Sequence, residues 1–407
     1  MTLVDSATAQ HSTAQHSNNH CLNFPENKIL LVTLYGDYNY GNNLQRYALA
    51  RIIESLGFEV YHLCQIAVKD KPSRLHESII STKKSIKTLI KKMLALIGIT
   101  KYLDKENRNK ELDRRHKLFI SKIRAFIEQY INNKIFVTYD EIFNADKSQW
   151  DKYKFAVTGS DQVWHNWSGT QHELEYYYLE FIPREKRVCY APSFGFSEFR
   201  ELDYDVHKKG LEGFDKLSCR EQEGVNLIKQ LINKDAKLVL DPTLLLNASQ
   251  WREIECKPDI NLPDNYVLTY FLGAVDPEYE HAIKQIAGSL PVINIYNIMI
   301  PGLGAYIVGI EELLYLFDHA DFVCTDSFHG TAFSINLGKN FLVFRRNKNN
   351  NMFGRITSIL TSTNLMNHIY EPGINSRPDE INYHEVNEKL NILRESSIKY
   401  LRECLKV

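Results

Sequence analysis

The chain has 407 residues, 44% hydrophobic and 24% charged, with 49 Lys and Arg against 50 Asp and Glu. That length exceeds what one hydrophobic core serves and predicts two domains, while the balanced charge lacks the basic excess of nucleic-acid binders, so no nucleic acid is expected as a partner. The seven cysteines are scattered, with no C-x-x-C spacing, which excludes a typical zinc site and fits a reducing, cytoplasmic compartment.

Residues 1–27 are polar and carry neither Lys nor Arg. They read as a disordered leader rather than a signal peptide, with His11, His16 and His20 solvated. No apolar run reaches the roughly 18 residues that a spanning helix needs. At Lys28 the pattern changes. "KILLVTLY" predicts a buried strand, "NLQRYALARIIESLG" (43–57) has helical spacing closed by glycine, and "FEVYHLC" alternates like a strand. This is β-loop-α-β, the start of a parallel sheet.

The turn inside that unit, "GDYNYGNNLQ", sets Gly36 and Gly41 at P-loop spacing but has Asn42 and Asn43 where a P-loop needs Lys and Ser or Thr. With no G-x-G-x-x-G either, ATP hydrolysis and dinucleotide binding are disfavoured. The turn offers backbone N–H groups at a helix start, with Asn39, Asn42 and Gln45 as amide donors to a sugar or phosphate. The alternative is a turn whose glycines serve backbone geometry alone.

Residues 83–131 read as a helical insertion. Lys83–Tyr102 carries six lysines and no acid, with Ile86, Leu89, Ile90, Met93, Leu94 and Ile97 at helical spacing. Such a stretch suits peripheral contact with an anionic membrane surface, or packing on the domain with its lysines solvated.

Further along, "KFAVTGSDQVW" ends a buried strand in Gly159 and projects Ser160, Asp161 and Gln162 at a turn. Asp161 is placed to cap a helix or to act as general base toward a substrate hydroxyl. Trp164 and Trp167 offer flat faces for a sugar ring, or core packing. "RVCYAPSFG", "KLSCRE" and "KLVLDPTLLL" repeat the strand theme, and Arg220 sits just past the second of these. A polar stretch from Pro258 to Pro263 then marks a linker, closing a first domain over 28–257.

Over 264–372 the alternation restarts. "YVLTYFLG", "PVINIYN", "DFVCTDS" and "NFLVFRR" predict strands; "PEYEHAIKQIAGSL", "GIEELLYLFDHA", "FHGTAFSINLG" and "MFGRITSILTST" predict helices. Two doubly wound, Rossmann-like α/β domains in series follow, with a helical segment over 373–407. Ligands of such sheets bind beyond the carboxyl ends of the strands. There stand Ser327, His329 and Gly330 in "TDSFHGTAFS", and Arg345 and Arg346 in "FLVFRRN". Arginine forks match carboxylate and phosphate geometry. A helix N-terminus and nearby arginines would depress the His329 pKa, and a bound phosphate would raise it, as a general acid requires.

In this order, "GDYNYGNNLQ", "TGSDQVW", "SCRE", "DPTLLL" and "TDSFHGTAFS" resemble the polysaccharide pyruvyltransferase family, from about Lys28 to about Phe353. The resemblance implies a GT-B-like fold and transfer of the enolpyruvyl-derived group of phosphoenolpyruvate to a sugar of a bacterial cell-surface polysaccharide or its precursor. The sugar becomes a pyruvate ketal and phosphate is released. His329 matches the family's histidine before glycine and Arg220 its mid-chain arginine, while Asp161 lies in the acidic loop of the first domain. These imply catalytic roles for His329 and Asp161, with donor binding by Arg220, Arg345, Arg346, Ser327 and Gly330. Acceptor binding falls to Asn39, Gly41, Asn42, Gln45, Gln162 and Trp164, with no cofactor and no metal. Many members read R-L-H-G where this chain has Ser327-Phe328-His329-Gly330, so Arg345, Arg346 or Lys348 substitutes for that arginine, or the donor differs. Two other readings stand beside this one: a GT-B-type glycosyltransferase using a nucleotide sugar, and a non-catalytic sugar-binding protein of envelope synthesis.

Overall fold

The computed structural model describes residues 27–36, 38–66, 100–296, 305–346, 353–373 and 377–407. The leader and most of the lysine-rich stretch expected at 83–102 lie outside them.

Five parallel strands form the first sheet: β1 (Lys28–Val32), β2 (Glu59–Gln65), β3 (Lys134–Val137), β4 (Phe155–Thr158) and β5 (Arg187–Cys189). Their order, β3-β2-β1-β4-β5, is that of a dinucleotide-type doubly wound sheet lacking only its sixth strand. The continuous apolar run of β1 has a direct physical cause. Ile29 and Leu31 pack into one core and Leu30 and Val32 into another, so both faces of the strand are covered.

A separate two-stranded parallel sheet comprises β6 (Leu217–Cys219) and β7 (Ala236–Leu238). The strand theme of the sequence would extend the first sheet through these segments. Instead Ala191 N donates to the Ser218 hydroxyl at 3.1 Å, and that hydroxyl donates to Cys189 O at 3.1 Å. A side chain thus replaces the ladder between β5 and β6.

The last sheet holds β8 (Val267–Tyr270), β9 (Val292–Asn294), β10 (Phe322–Thr325) and β11 (Phe341–Val343), all parallel in the order β11-β10-β8-β9. Leu268, Val323 and Phe341 face the same core as Ile29 and Leu31, so the two large sheets share one apolar interior. Polar contacts tie them as well. The Tyr40 hydroxyl donates to Val308 O at 2.8 Å, and Lys122, on the helix Thr100–Tyr130, pairs with Glu312 at 2.8 Å.

The C-terminal helix Tyr383–Leu405 crosses back. Its first residue, Tyr383, bonds to Ser334 O beside the last sheet, whereas Tyr400 donates to Cys189 O at the end of β5. Two Rossmann-like units with a returning C-terminal helix make the α/β, GT-B-like architecture. No helix among the described residues is long and apolar enough to cross a membrane.

Candidate active site

Three strand ends of the first half converge on one arginine. Asp161 follows β4 with φ of 72°, a left-handed conformation uncommon outside glycine and concentrated at functional sites. Its Oδ1 accepts from Gln162 N at 2.9 Å and from the Arg220 guanidinium at 2.6 Å. The other terminal nitrogen of Arg220 donates to Asp241 Oδ2 at 2.6 Å. Asp241, just past β7, also accepts from Ser160 Oγ at 3.0 Å and from Thr243 N and Oγ1 at 3.0 and 2.7 Å.

Arg220 is fully enclosed, its guanidinium 4.7 Å from the centre of the Phe328 ring. A buried charge survives only where its partners are this close. Burial alone would raise the Asp161 carboxyl, but Arg220, His329 and Arg355 outweigh it and hold the group at about 2. Asp241 is likewise lowered, burial again being overcome by Arg220 and His329.

His329 enters this cluster from the other sheet. It lies in the first turn of the helix Phe328–Asn336, which Ser327 caps by accepting from Gly330 N at 3.3 Å. Ser327 N donates to Thr325 Oγ1 at 3.0 Å, and a Cβ on Gly330 would stand 3.0 Å from the Thr325 Cβ. Ser327 and Gly330 therefore build the turn that aims His329. Opposite the ring is Gly41, where a Cβ would come within 2.5 Å of His329 Cε1 and 2.9 Å of Cγ. Only glycine lets the first helix approach the imidazole this closely. Burial lowers the His329 pKa; Asp241 and Asp161 oppose that, and Arg220 and Arg355 add to it. Its Nε2 is buried without a hydrogen-bond partner among the described residues.

Arg355 completes the cluster and escaped the sequence reading. It opens the helix Gly354–Thr363 and lies 3.8 Å from Asp161 Oδ1. Two contacts bring it there: a Cβ on Gly354 would stand 2.6 Å from Glu223 Oε1, and Gln222 N donates to Ser358 Oγ at 3.1 Å. A cation just past a strand is marked in the sequence by the apolar run before it, whereas this one stands behind a glycine at a helix start. Glu221 is buried in the same neighbourhood, its carboxyl pushed up by burial despite Arg220 and Arg355.

The remaining expected residues divide. Arg346 is tied to Asp326 at 3.0 Å, and the same carboxylate accepts from Leu272 N and Gly273 N at 2.6 and 2.8 Å. Arg345 points elsewhere: its side chain is half exposed, over the Phe353 ring and 3.8 Å from Glu371. These contacts lie outside the Arg220 cluster. Asn39 caps the first helix, accepting from Asn42 N at 3.3 Å. Gln45 is buried, donating to Thr33 Oγ1 at 2.8 Å and Asn42 O at 2.9 Å, so its amide nitrogen serves the turn rather than an acceptor. Gln162 is buried against Gly195, with Nε2 unpartnered among the described residues.

Trp164 is a correction too. It is fully enclosed, stacked 5.3 Å from Tyr178 and beside Phe194. A core aromatic of this kind has no face left for a sugar. Trp167, three residues on, is 53% exposed, with its Nε1 donating to Gln162 O at 3.3 Å and its ring centroid 4.2 Å from that of His165. Burial lowers the His165 pKa against its hydrogen bond to Phe194 O, and Arg200 and, least, Arg355 add to the lowering.

No curated protein matches the chain in sequence. Solved structures that follow its general course include Alr3699/HepE of Anabaena, in complex with UDP and glucose, at 11% identity and TM-score 0.47, over 92% of this chain and 95% of that one. Arabidopsis thaliana UGT89C1, complexed with UDP-L-rhamnose, matches at 12% identity and TM-score 0.43, over 92% and 93%. The UDP-GlcNAc 2-epimerase of Neisseria meningitidis, bound to UDP-GlcNAc, matches at 9% identity and TM-score 0.39, over 93% and 94%. A family profile described as polysaccharide pyruvyl transferase matches residues 39–348, a span that holds Gly41, Asp161, Arg220, Asp241 and His329. Matched over more than half its length, the chain belongs to the polysaccharide pyruvyl transferase family.

Proposed function

We propose that this transferase moves the enolpyruvyl-derived group of phosphoenolpyruvate onto two hydroxyls of a sugar, in a cell-surface polysaccharide or its precursor, and closes a pyruvate ketal. The observation that carries this reading is the unpartnered, buried Nε2 of His329 beside an arginine-rich cluster. It is a titratable group with a buried, unpartnered nitrogen among the described residues, at the junction of two α/β units.

In this reading the first sugar hydroxyl attacks C2 of the donor while C3 takes a proton and becomes a methyl. The second hydroxyl then displaces phosphate from C2, and its proton leaves with the phosphate. His329 is the donor of the proton to C3. Burial keeps it neutral in the free protein, and the phosphate dianion beside it raises its pKa so that it is charged when substrate is bound. The proton acid is thereby assembled by its own substrate.

Asp161 needs a revised role. A carboxylate held at about 2 is too weak a base to strip a neutral hydroxyl. Both of its hydrogen bonds fall on Oδ1, which leaves Oδ2 to accept from the attacking hydroxyl. Once the new C–O bond has formed, the oxygen carries a strongly acidic proton that even Asp161 can receive. Arg220 and Arg346 lend positive charge, and the exposed face of Trp167 suits an acceptor ring.

Incubation with phosphoenolpyruvate and candidate glycans, following phosphate release and the acid-labile ketal by NMR, tests the reading. Release of a nucleoside diphosphate from a nucleotide sugar, with no phosphate from phosphoenolpyruvate, overturns it in favour of glycosyl transfer.

A further inference from the structure

Among the described residues, Arg355 is a cation without a matching anion. Its side chain is 13% exposed, yet its nearest carboxylate oxygen, Asp161 Oδ1, is 3.8 Å away and already bonded by Arg220. Arg355 donates no hydrogen bond among the described residues, and its buried Nε has no partner. The cluster is otherwise closely matched. Asp241 has four donors, Arg220 has two carboxylates at 2.6 Å, and Asp326 holds Arg346.

Electrostatics agree with the geometry. Burial, and then the neighbouring charge of Arg220, push the Arg355 guanidinium down to about 10, with Arg346 adding to the effect against Asp161 and Glu221. A guanidinium that is harder to keep charged in the folded protein lowers the stability of the empty site. An oxyanion from outside would relieve that cost by filling the donor fork bidentately.

We propose that Arg355 is the residue that grips an oxyanion of the donor, carboxylate or phosphate, using the fork that no group among the described residues occupies. The proposal rests on phosphoenolpyruvate being the donor. Its location explains how a chain with Ser327 two residues before the histidine still brings a free cation to the site. The guanidinium arrives from the helix after β11 instead of the turn before His329. Because Gly354 abuts Glu223 and Ser358 accepts from Gln222 N, Arg355 is also held at the contact between the two α/β halves. Donor binding therefore bears on a side chain that only the assembled cleft puts in place.

Calorimetric titration of the full chain with phosphoenolpyruvate, inorganic phosphate and pyruvate, beside thermal melts without ligand, tests this. Arg355→Gln is expected to weaken phosphoenolpyruvate binding roughly 10- to 100-fold, the loss of charge-assisted hydrogen bonds. The unliganded melting temperature should hold or rise, since a poorly matched buried charge has been removed. A structural ion pair would show the reverse, with a lower melting temperature and unchanged affinity. Arg355→Lys retains charge without the fork and should fall between; it decides the matter if the glutamine variant does not fold. Parallel loss toward phosphate but not pyruvate assigns the grip to the phosphate end, and the opposite pattern assigns the carboxylate. Unchanged phosphoenolpyruvate affinity in the variants overturns the proposal. A wild-type chain that binds phosphate but not phosphoenolpyruvate sinks the donor assignment instead, and the Arg355 comparison then runs on phosphate.

Discussion

The imidazole of His329 lies against Gly41, so closely that a Cβ at position 41 would stand 2.5 Å from its Cε1. One residue opens the first helix of the first half, and the other opens a helix of the second half, 288 positions later in the chain. The glycine of a turn that looks like an incomplete P-loop is therefore needed for approach to a side chain, not to a nucleotide phosphate.

Gly41→Ala is expected to displace His329 and cut turnover roughly 10²-fold, in keeping with a misplacement of about 1 Å at a reacting group. Overpacking costs about 1–3 kcal/mol, so the protein should remain folded by circular dichroism. Wild-type turnover in the folded variant would separate the glycine from catalysis.

His329→Asn should lower the rate roughly 10²–10⁴-fold, the range of a lost general acid, with donor affinity retained. The pH dependence has a definite sign. Burial depresses the histidine in the folded state against the carboxylates of Asp241 and Asp161, and Arg220 and Arg355 depress it further. The unfolded chain thus takes up a proton first, and stability falls as pH drops below the ordinary histidine value near 6.5. That slope in the melting temperature between pH 7.5 and 5 should shrink in the asparagine variant. For catalysis, the limb of kcat/KM that reports the free histidine should lie below the corresponding limb of kcat, where bound phosphate raises the group.

Asp241→Asn removes one of the two carboxylates that hold the enclosed Arg220. The expected loss is roughly 3–5 kcal/mol, because the arginine stays buried with half its compensation gone. Chemical denaturation measures it. Asp161 and Asp241 both have folded pKa values below the unfolded one, so their contribution is complete above about pH 4 and is lost as pH falls through the folded values, about 2 for Asp161. A loss below about 1 kcal/mol in the variant would show that the pair is not the anchor of the cluster.

The two tryptophans should separate cleanly. Trp164→Ala empties a core site and is expected to cost about 3–5 kcal/mol, read as a lowered denaturation midpoint. Trp167→Ala should leave the midpoint almost unchanged and raise the KM for the sugar acceptor about tenfold, with phosphoenolpyruvate affinity intact. If the acceptor KM does not move, the exposed ring is not a sugar platform.

The elements themselves were legible because each is a local consequence of composition. "KILLV" is apolar from Ile29 to Val32 since both faces of β1 are covered, and the helix over Phe328–Asn336 follows from the apolar pattern of "FHGTAFSINLG". The order of strands and helices followed, as did the family. What sits beside what did not follow. Sequence pattern reports whether a side chain is buried, not what buries it, so Trp164 and Trp167 read alike although one stacks on Tyr178 and the other faces outward. Arg345 and Arg346 are adjacent in sequence, yet one pairs with Glu371 and the other with Asp326. Asp241 looked like one more residue of "DPTLLL", and Arg355 like one more cation on a helix. Asp241 meets Arg220, 21 positions away, because β6 and β7 pair within the first half. Only the closing of two α/β halves around a shared core brought His329 and Arg355 to them. Contacts over such separations are decided by packing and leave no local pattern in the chain.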